Sequence, residues 1–398
     1  MSVIRLALTS TMTIQAMATA STVTLSAIAP LVAQAIGVPS SFIGTYVCFL
    51  YIGAAIAAVS GGTMVTRFGG IHVSQGCLIL AAIGLIISAI PNFWIICFGG
   101  FLLGLSYGPI TPCSSDILAH TVPKERMGFV FSLKQTAVPL GSAIAGFIVP
   151  SVALWANDWK AGPHFMAIAA LCVALLVLYH RNLLDDHYDK NARFDARAVI
   201  NALRLVTSQN GLRRMCIVSF VYNGTQMCVF SFIVAYMVED IHIPIVLAGM
   251  ALSAASIGGM CGRLFWGVFA DKIHSPRITL AILGALMASM LVVTGFFSES
   301  VPAFLMIAVC FCLGASAIGW NGVYLAQVAR IAPKGKAGIA TGGTLFFTFA
   351  GAIFLPLGFG AVHSVFGAYY ESFYLTAALC LAIALWLFVS KGESAAQG

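Results

Sequence analysis

Runs of about 20 apolar residues, separated by short polar breaks, recur along the whole chain. A helix rising 1.5 Å per residue needs roughly 20 such residues to cross a bilayer. On that criterion the pattern predicts twelve spans, over 7–34, 42–65, 73–91, 93–118, 127–150, 162–180, 214–236, 246–268, 277–297, 302–329, 338–361 and 370–390. The connections are short except for 181–213, which is polar and charged and holds a weakly amphipathic stretch, 192–206. The expected organisation is an N-terminal six-helix bundle over 1–180, a cytoplasmic linker over 181–213 and a C-terminal six-helix bundle over 214–398. The first run lacks the short apolar core and A-x-A site of a cleaved signal, so it is expected to stay as a helix.

Composition strengthens this reading. The chain of 398 residues is 60% hydrophobic and 8% charged, with a mean hydropathy of +0.98. A soluble domain carries about 25% charged residues to present a wetted surface. Here 20 basic and 13 acidic residues are too few for that task, so the outer surface must face lipid. With the N-terminus placed in the cytoplasm, all but three of the Lys and Arg fall in cytoplasmic segments. Lys160 falls outside, and Lys134 and Arg263 fall inside spans. The net charge of +7 therefore serves topology and does not imply nucleic acid. These features predict an integral protein of a bacterial inner membrane with both termini cytoplasmic. Eleven cysteines lie singly in apolar runs without a metal-binding spacing, so neither a metal nor another cofactor is expected.

The two halves repeat. Gly61–Arg67 has a counterpart at Trp266–Lys272, an offset of 205, and the loop 123–128 has one at 333–338, an offset of 210. Gly141 and Gly351 follow at the same spacing. Parallel six-helix repeats about an axis along the membrane normal are a transporter plan, with the substrate held near the midplane between halves.

At these residues the chain resembles the major facilitator superfamily over essentially its whole length. The family signature after the second span, G-x-L-A-D-R-x-G-R-[RK], is met at Gly62, Arg67 and Gly69, while Thr66 stands where Asp is expected. The second copy keeps Gly267, Ala270, Asp271 and Lys272. The resemblance implies an all-α polytopic membrane protein, with twelve transmembrane helices in two pseudo-symmetric six-helix bundles around a central cavity, working as a monomer. It also implies a conformational latch at Gly62, Arg67, Gly267 and Asp271, in which a carboxylate caps a helix of the other half. Thr66 cannot supply that charge, so the first-half latch is expected to be weak. The fourth and fifth spans lack most of the drug/proton antiporter pattern.

Charges inside spans are costly, which makes them candidates for function. Lys134 and Arg263 both lie about 10–12 Å inside the cytoplasmic boundary, one in each half. The resemblance places their spans side by side across the cavity, where two cations call for an anion between them. Gly262–Gly267 resembles the eighth span of oxalate/formate antiporters and monocarboxylate transporters, where an Arg binds the substrate carboxylate. A guanidinium suits that role because its planar fork makes two parallel hydrogen bonds. Asp116 is level with Lys134. It is either a structural ion-pair partner or a proton carrier whose protonation frees Lys134. Gln15, Gln135, Tyr222, Asn223, Gln226 and Asn321 are further candidate cavity residues, each equally able to tie two helices together. Gln15 and Gln226 stand at near-equivalent repeat positions. No Ser–His, paired-Asp or His-rich constellation stands at one depth, so an intramembrane enzyme is not expected. The expected function is secondary transport of a small organic anion, a monocarboxylate first, by proton symport or anion exchange. The alternative is a carrier for neutral or cationic drugs.

Overall fold

The computed structural model describes residues 3–122, 130, 133–179, 184, 196–333 and 337–390, with the side chains of 59–63, 66, 119, 196–199, 337 and 338 set aside. Every regular element within those residues is a helix. The repeated 123–128 loop, residues 334–336 of its counterpart at 333–338 and the acidic part of the linker lie outside the described residues.

The chain divides into two compact units, Met1–Phe194 and Asp195–Gly398. The first contains α1 (Val3–Ala27), α2 (Ala29–Ile36), α3 (Phe42–Phe68), α4 (Gly70–Ser88), α5 (Phe93–Tyr107), α6 (Ile110–Thr121), α7 (Ala137–Trp155) and α8 (Ala161–Leu178). The second contains α9 (Ala196–Ser208), α10 (Asn210–Glu239), α11 (Ile245–Lys272), α12 (Pro276–Gly295), α13 (Ala303–Ala317), α14 (Asn321–Ile331), α15 (Ala337–Phe366) and α16 (Tyr369–Val389).

Ten helical stretches are long and apolar enough to cross a membrane, and α1 with α2, bent by 53°, makes an eleventh. In α3 the described apolar stretch, Phe42–Ala58, is shorter than a crossing. Of the twelve predicted spans, ten to eleven are therefore met among the described residues. Large apolar side chains such as Leu175, Phe304 and Leu385 are exposed, as a lipid solvent requires. Local chemistry sets several helix starts. The Asn92 side chain accepts from the amides of Trp94 and Ile95, and Ser275 caps α12 ahead of Pro276.

Packing repeats as the sequence does. In the first unit α1 packs on α7, α3 on α5 and α4 on α8; in the second α10 packs on α15, α11 on α13 and α12 on α16. Gly141 and Gly351 are needed for this. A Cβ on Gly141 would overlap the Ala16 carbonyl of α1, and one on Gly351 the Phe220 carbonyl of α10. The linker segment 196–208 is a helix packed against α15 and α10 of the second unit, with Val206 fully buried.

Two spans read from the sequence as continuous are interrupted. The run 93–118 breaks between α5 and α6 at Gly108–Pro109, where proline cannot donate to the helical ladder. The run 302–329 breaks between α13 and α14 at Ile318–Trp320. The offset between the breaks is the repeat offset of 210. Interrupted apolar segments at matching places in two halves point to where such a protein binds its solute.

Candidate functional site

Each unit ties its broken helix to its first long helix through one glutamine. In the first unit Gln15 of α1 is fully buried. Its Oε1 accepts a hydrogen bond from Lys134 Nζ at 3.1 Å and lies 3.5 Å from the hydroxyl of Thr111, in the first turn of α6. Lys134 is 2% exposed, just ahead of α7. The Gln15 amide nitrogen, Nε2, is buried without a hydrogen-bond partner. A buried ammonium and a buried amide donor thus meet at one point beside the break. A group with lone pairs or a negative charge fits there, because the buried Gln15 amide donor costs free energy while unsatisfied.

In the second unit Gln226 of α10 does the equivalent work with neutral partners. Its Oε1 accepts from Trp320 Nε1 and from Asn321 Nδ2, both at 3.2 Å. Thr344 stands 210 residues after Lys134, fully buried, with its hydroxyl donating to the Thr341 carbonyl at 3.0 Å. The repeat thus carries a cation in one half and a threonine in the other.

Tyr222 and Asn223 serve as ties between helices. The Tyr222 hydroxyl donates to the Leu280 carbonyl of α12 at 2.7 Å, and its ring meets Trp320 edge-on at 5.9 Å. Asn223 Nδ2 donates to the Thr348 carbonyl of α15 at 2.8 Å. Gln135 is half-buried beside Lys134.

Arg263, half-buried on α11, donates from Nε to the Ile318 carbonyl at 3.2 Å. Three residues on, Trp266 Nε1 donates to the Ala315 carbonyl at 2.9 Å. Both acceptors lie at the α13–α14 break, where carbonyls lose their helical partners. The same bond fixes the plane of the Arg263 guanidinium. Sequence reasoning had no access to it, since a freed carbonyl leaves no mark in the residue types.

Asp116 is in α6 with its side chain about one-third exposed, and its carboxylate lies 3.6 Å from His120 Nδ1. His120 is in the last turn of that helix. Of the latch residues, Gly62 lies within α3 and Arg67 is exposed in its last turn, 5.3 Å over the Phe68 ring. Gly267 lies within α11, and Asp271 is exposed in its last turn. Among the described residues no group of His, Cys, Asp and Glu is arranged to hold a metal.

One residue escaped the sequence reading. Tyr324 of α14 is 1% exposed, and its hydroxyl is buried without a hydrogen-bond partner, near Ser219, Thr344 and Thr348. Its signal was faint: a tyrosine four residues after Trp320, on one face of α14.

The profile of the Major Facilitator Superfamily matches residues 11–356. A probable hexose phosphate transport protein of Chlamydia pneumoniae is 24% identical, the match covering 77% of this chain and 75% of that protein. A multi-drug resistance efflux pump homolog of Lactococcus lactis is 21% identical over 63% of each chain. A probable sulfoacetate transporter of Cupriavidus necator is 24% identical over 63% of this chain and 61% of its own length. In three dimensions a nucleoside transporter superposes with a TM-score of 0.78 at 15% identity, over 97% of this chain and 99% of that one. The chain belongs to the Major Facilitator Superfamily of transporters.

Proposed function

We propose that this transporter carries a small organic anion, a monocarboxylate first. The observation behind this reading is the centre at Lys134 and Gln15, a buried ammonium beside a buried amide donor that lacks a partner. An ionisable group inside a span is a candidate for function by default. In the first unit Lys134, Gln15 and Gln135 are the proposed substrate contacts; in the second unit Arg263, Gln226 and Asn321 are. Two of the relatives carry names of anionic solutes, a hexose phosphate and sulfoacetate. Asp116 is the proton carrier in this reading, with Asp271 and Arg67 acting at the helix ends as the latch. The efflux-pump relative favours a second reading, a carrier for neutral or cationic drugs.

A thermal-shift panel separates the two. Small carboxylates and phosphorylated or sulfonated acids are expected to raise the melting temperature of the purified protein, and Arg263→Ala is expected to abolish the shift. Stabilisation by neutral or cationic compounds alone would decide for the drug reading. Anion uptake into vesicles, with and without a pH gradient, is expected to lose its proton dependence in Asp116→Asn. Unchanged dependence there sinks the role of Asp116.

A further inference from the structure

The second unit carries a cleft unrelated to the glutamine-centred site, where the ends of four helices meet. Gly211, Arg214 and Met215 of α10, Arg277 of α12, and Gln327 and Ile331 of α14 line it. The last turn of α16 holds the two arginines in place. Arg277 Nη1 donates to the Leu387 carbonyl at 3.0 Å and to Ser390 Oγ at 3.3 Å. The Arg214 guanidinium carbon lies 5.5 Å over the Trp386 ring.

These arginines differ from those that merely mark topology. Arg213, Lys272 and Arg330 are exposed, whereas Arg214 and Arg277 are half-buried with fixed guanidinium directions. None of the six lining residues is acidic. The first turns of α10 and α12 add the positive ends of two helix dipoles. Exposed apolar side chains stand next to the two arginines: Ile278 follows Arg277, Trp386 lies under Arg214 and Val389 precedes Ser390, and they are 37%, 39% and 84% exposed. The enclosed part is narrow, with room for about one water, so a tetrahedral anion would sit at the mouth between the guanidiniums.

We propose that this cleft binds the phosphodiester headgroup of an anionic phospholipid, with Arg214 and Arg277 as its ligands. The distribution of Lys and Arg assigns this end of the helices to the cytoplasmic leaflet, where basic pockets between spans meet anionic lipid. The exposed apolar side chains beside it suit acyl chains, a feature that a site for free phosphate would not need.

The test uses the full-length protein in detergent, stripped of lipid. Its thermal stability is read with a short-chain phosphatidylglycerol, the matching phosphatidylcholine and inorganic phosphate. Phosphatidylglycerol is expected to raise the melting temperature by about 2–4 °C, and the other two by less than about 1 °C. The double variant Arg214→Gln/Arg277→Gln is expected to lose that shift. Should it fail to fold, Arg214→Gln alone is expected to lose about half of it. An equal shift with phosphatidylcholine overturns the proposal, and so does an undiminished shift in a folded variant. A full shift with inorganic phosphate also overturns it, by making the cleft a site for a free anion.

Discussion

Gln15 and Gln226 occupy equivalent places in the repeat and face different company. Each anchors the first long helix of its unit to the start of the half-helix after a break. Gln15 also holds an ammonium, Lys134. Gln226 holds an indole and a carboxamide. The shared part, a side-chain carbonyl bonded beside an interrupted helix, is what the duplicated architecture needs. The part that differs carries chemistry. Where two copies of a fold must do the same mechanical work, a departure between them marks a solute-facing role more sharply than either copy alone.

The strongest way to break this comparison is to make the first unit resemble the second. Lys134→Thr puts there the residue found at the equivalent position, 344. A charge-assisted hydrogen bond to a buried group is worth about 1.5–3 kcal/mol, and tenfold in affinity corresponds to about 1.4 kcal/mol. Anion affinity is therefore expected to fall by about 10- to 150-fold, measured by titration calorimetry. Unchanged affinity would reduce Lys134 to a structural ion-pair partner.

Replacing the glutamines tests the other side. Gln15→Leu removes an acceptor from a buried ammonium, and is expected to lower both thermal stability and anion affinity, the latter by about tenfold. Gln226→Leu strands two neutral donors, which costs about 1–3 kcal/mol of stability. Its anion affinity is expected to fall by less than that of Gln15→Leu, by about threefold, since no charge depends on it. Equal effects of the two substitutions on affinity would erase the proposed division of labour.

Much of the architecture was legible because a bilayer is a severe solvent. Runs such as 73–91 and 162–180 have one use, and the one-sided placement of Lys and Arg orders them. The breaks were less legible. Gly108–Pro109 is a turn signal and lies in a locally polar stretch, but the run around it is long enough to read as one span, and Ile318–Trp320 contains no proline at all. The candidate site was half legible for a related reason. Lys134, Arg263 and the glutamine pair announce themselves as polar groups in apolar surroundings. That Lys134 meets Gln15 across α1, and that Arg263 meets a carbonyl, depends on side-chain direction and on backbone freed by the break. Tyr324 was hidden because a tyrosine passes for one more apolar position.

The smallest predicted effect concerns the turn after the signature helix, where the halves again differ. α3 ends at Gly69, with φ +88° and ψ 148°, a region nearly exclusive to glycine. At the repeat offset of 205, the turn after α11 uses His274 with φ +51°. An L-residue in that left-handed region costs about 1–2 kcal/mol. His274→Gly should recover part of this. It forfeits the exposed bond between His274 Nδ1 and the Lys272 carbonyl at 3.0 Å and adds unfolded-chain freedom. The net gain is expected near 0.5 kcal/mol, a rise of about 1 °C in melting temperature. Gly69→Ala should lower it by several times as much, since no bulky residue relaxes into its conformation. A rise for Gly69→Ala, or a large loss for His274→Gly, would mean that the imidazole has been selected for something beyond closing the turn.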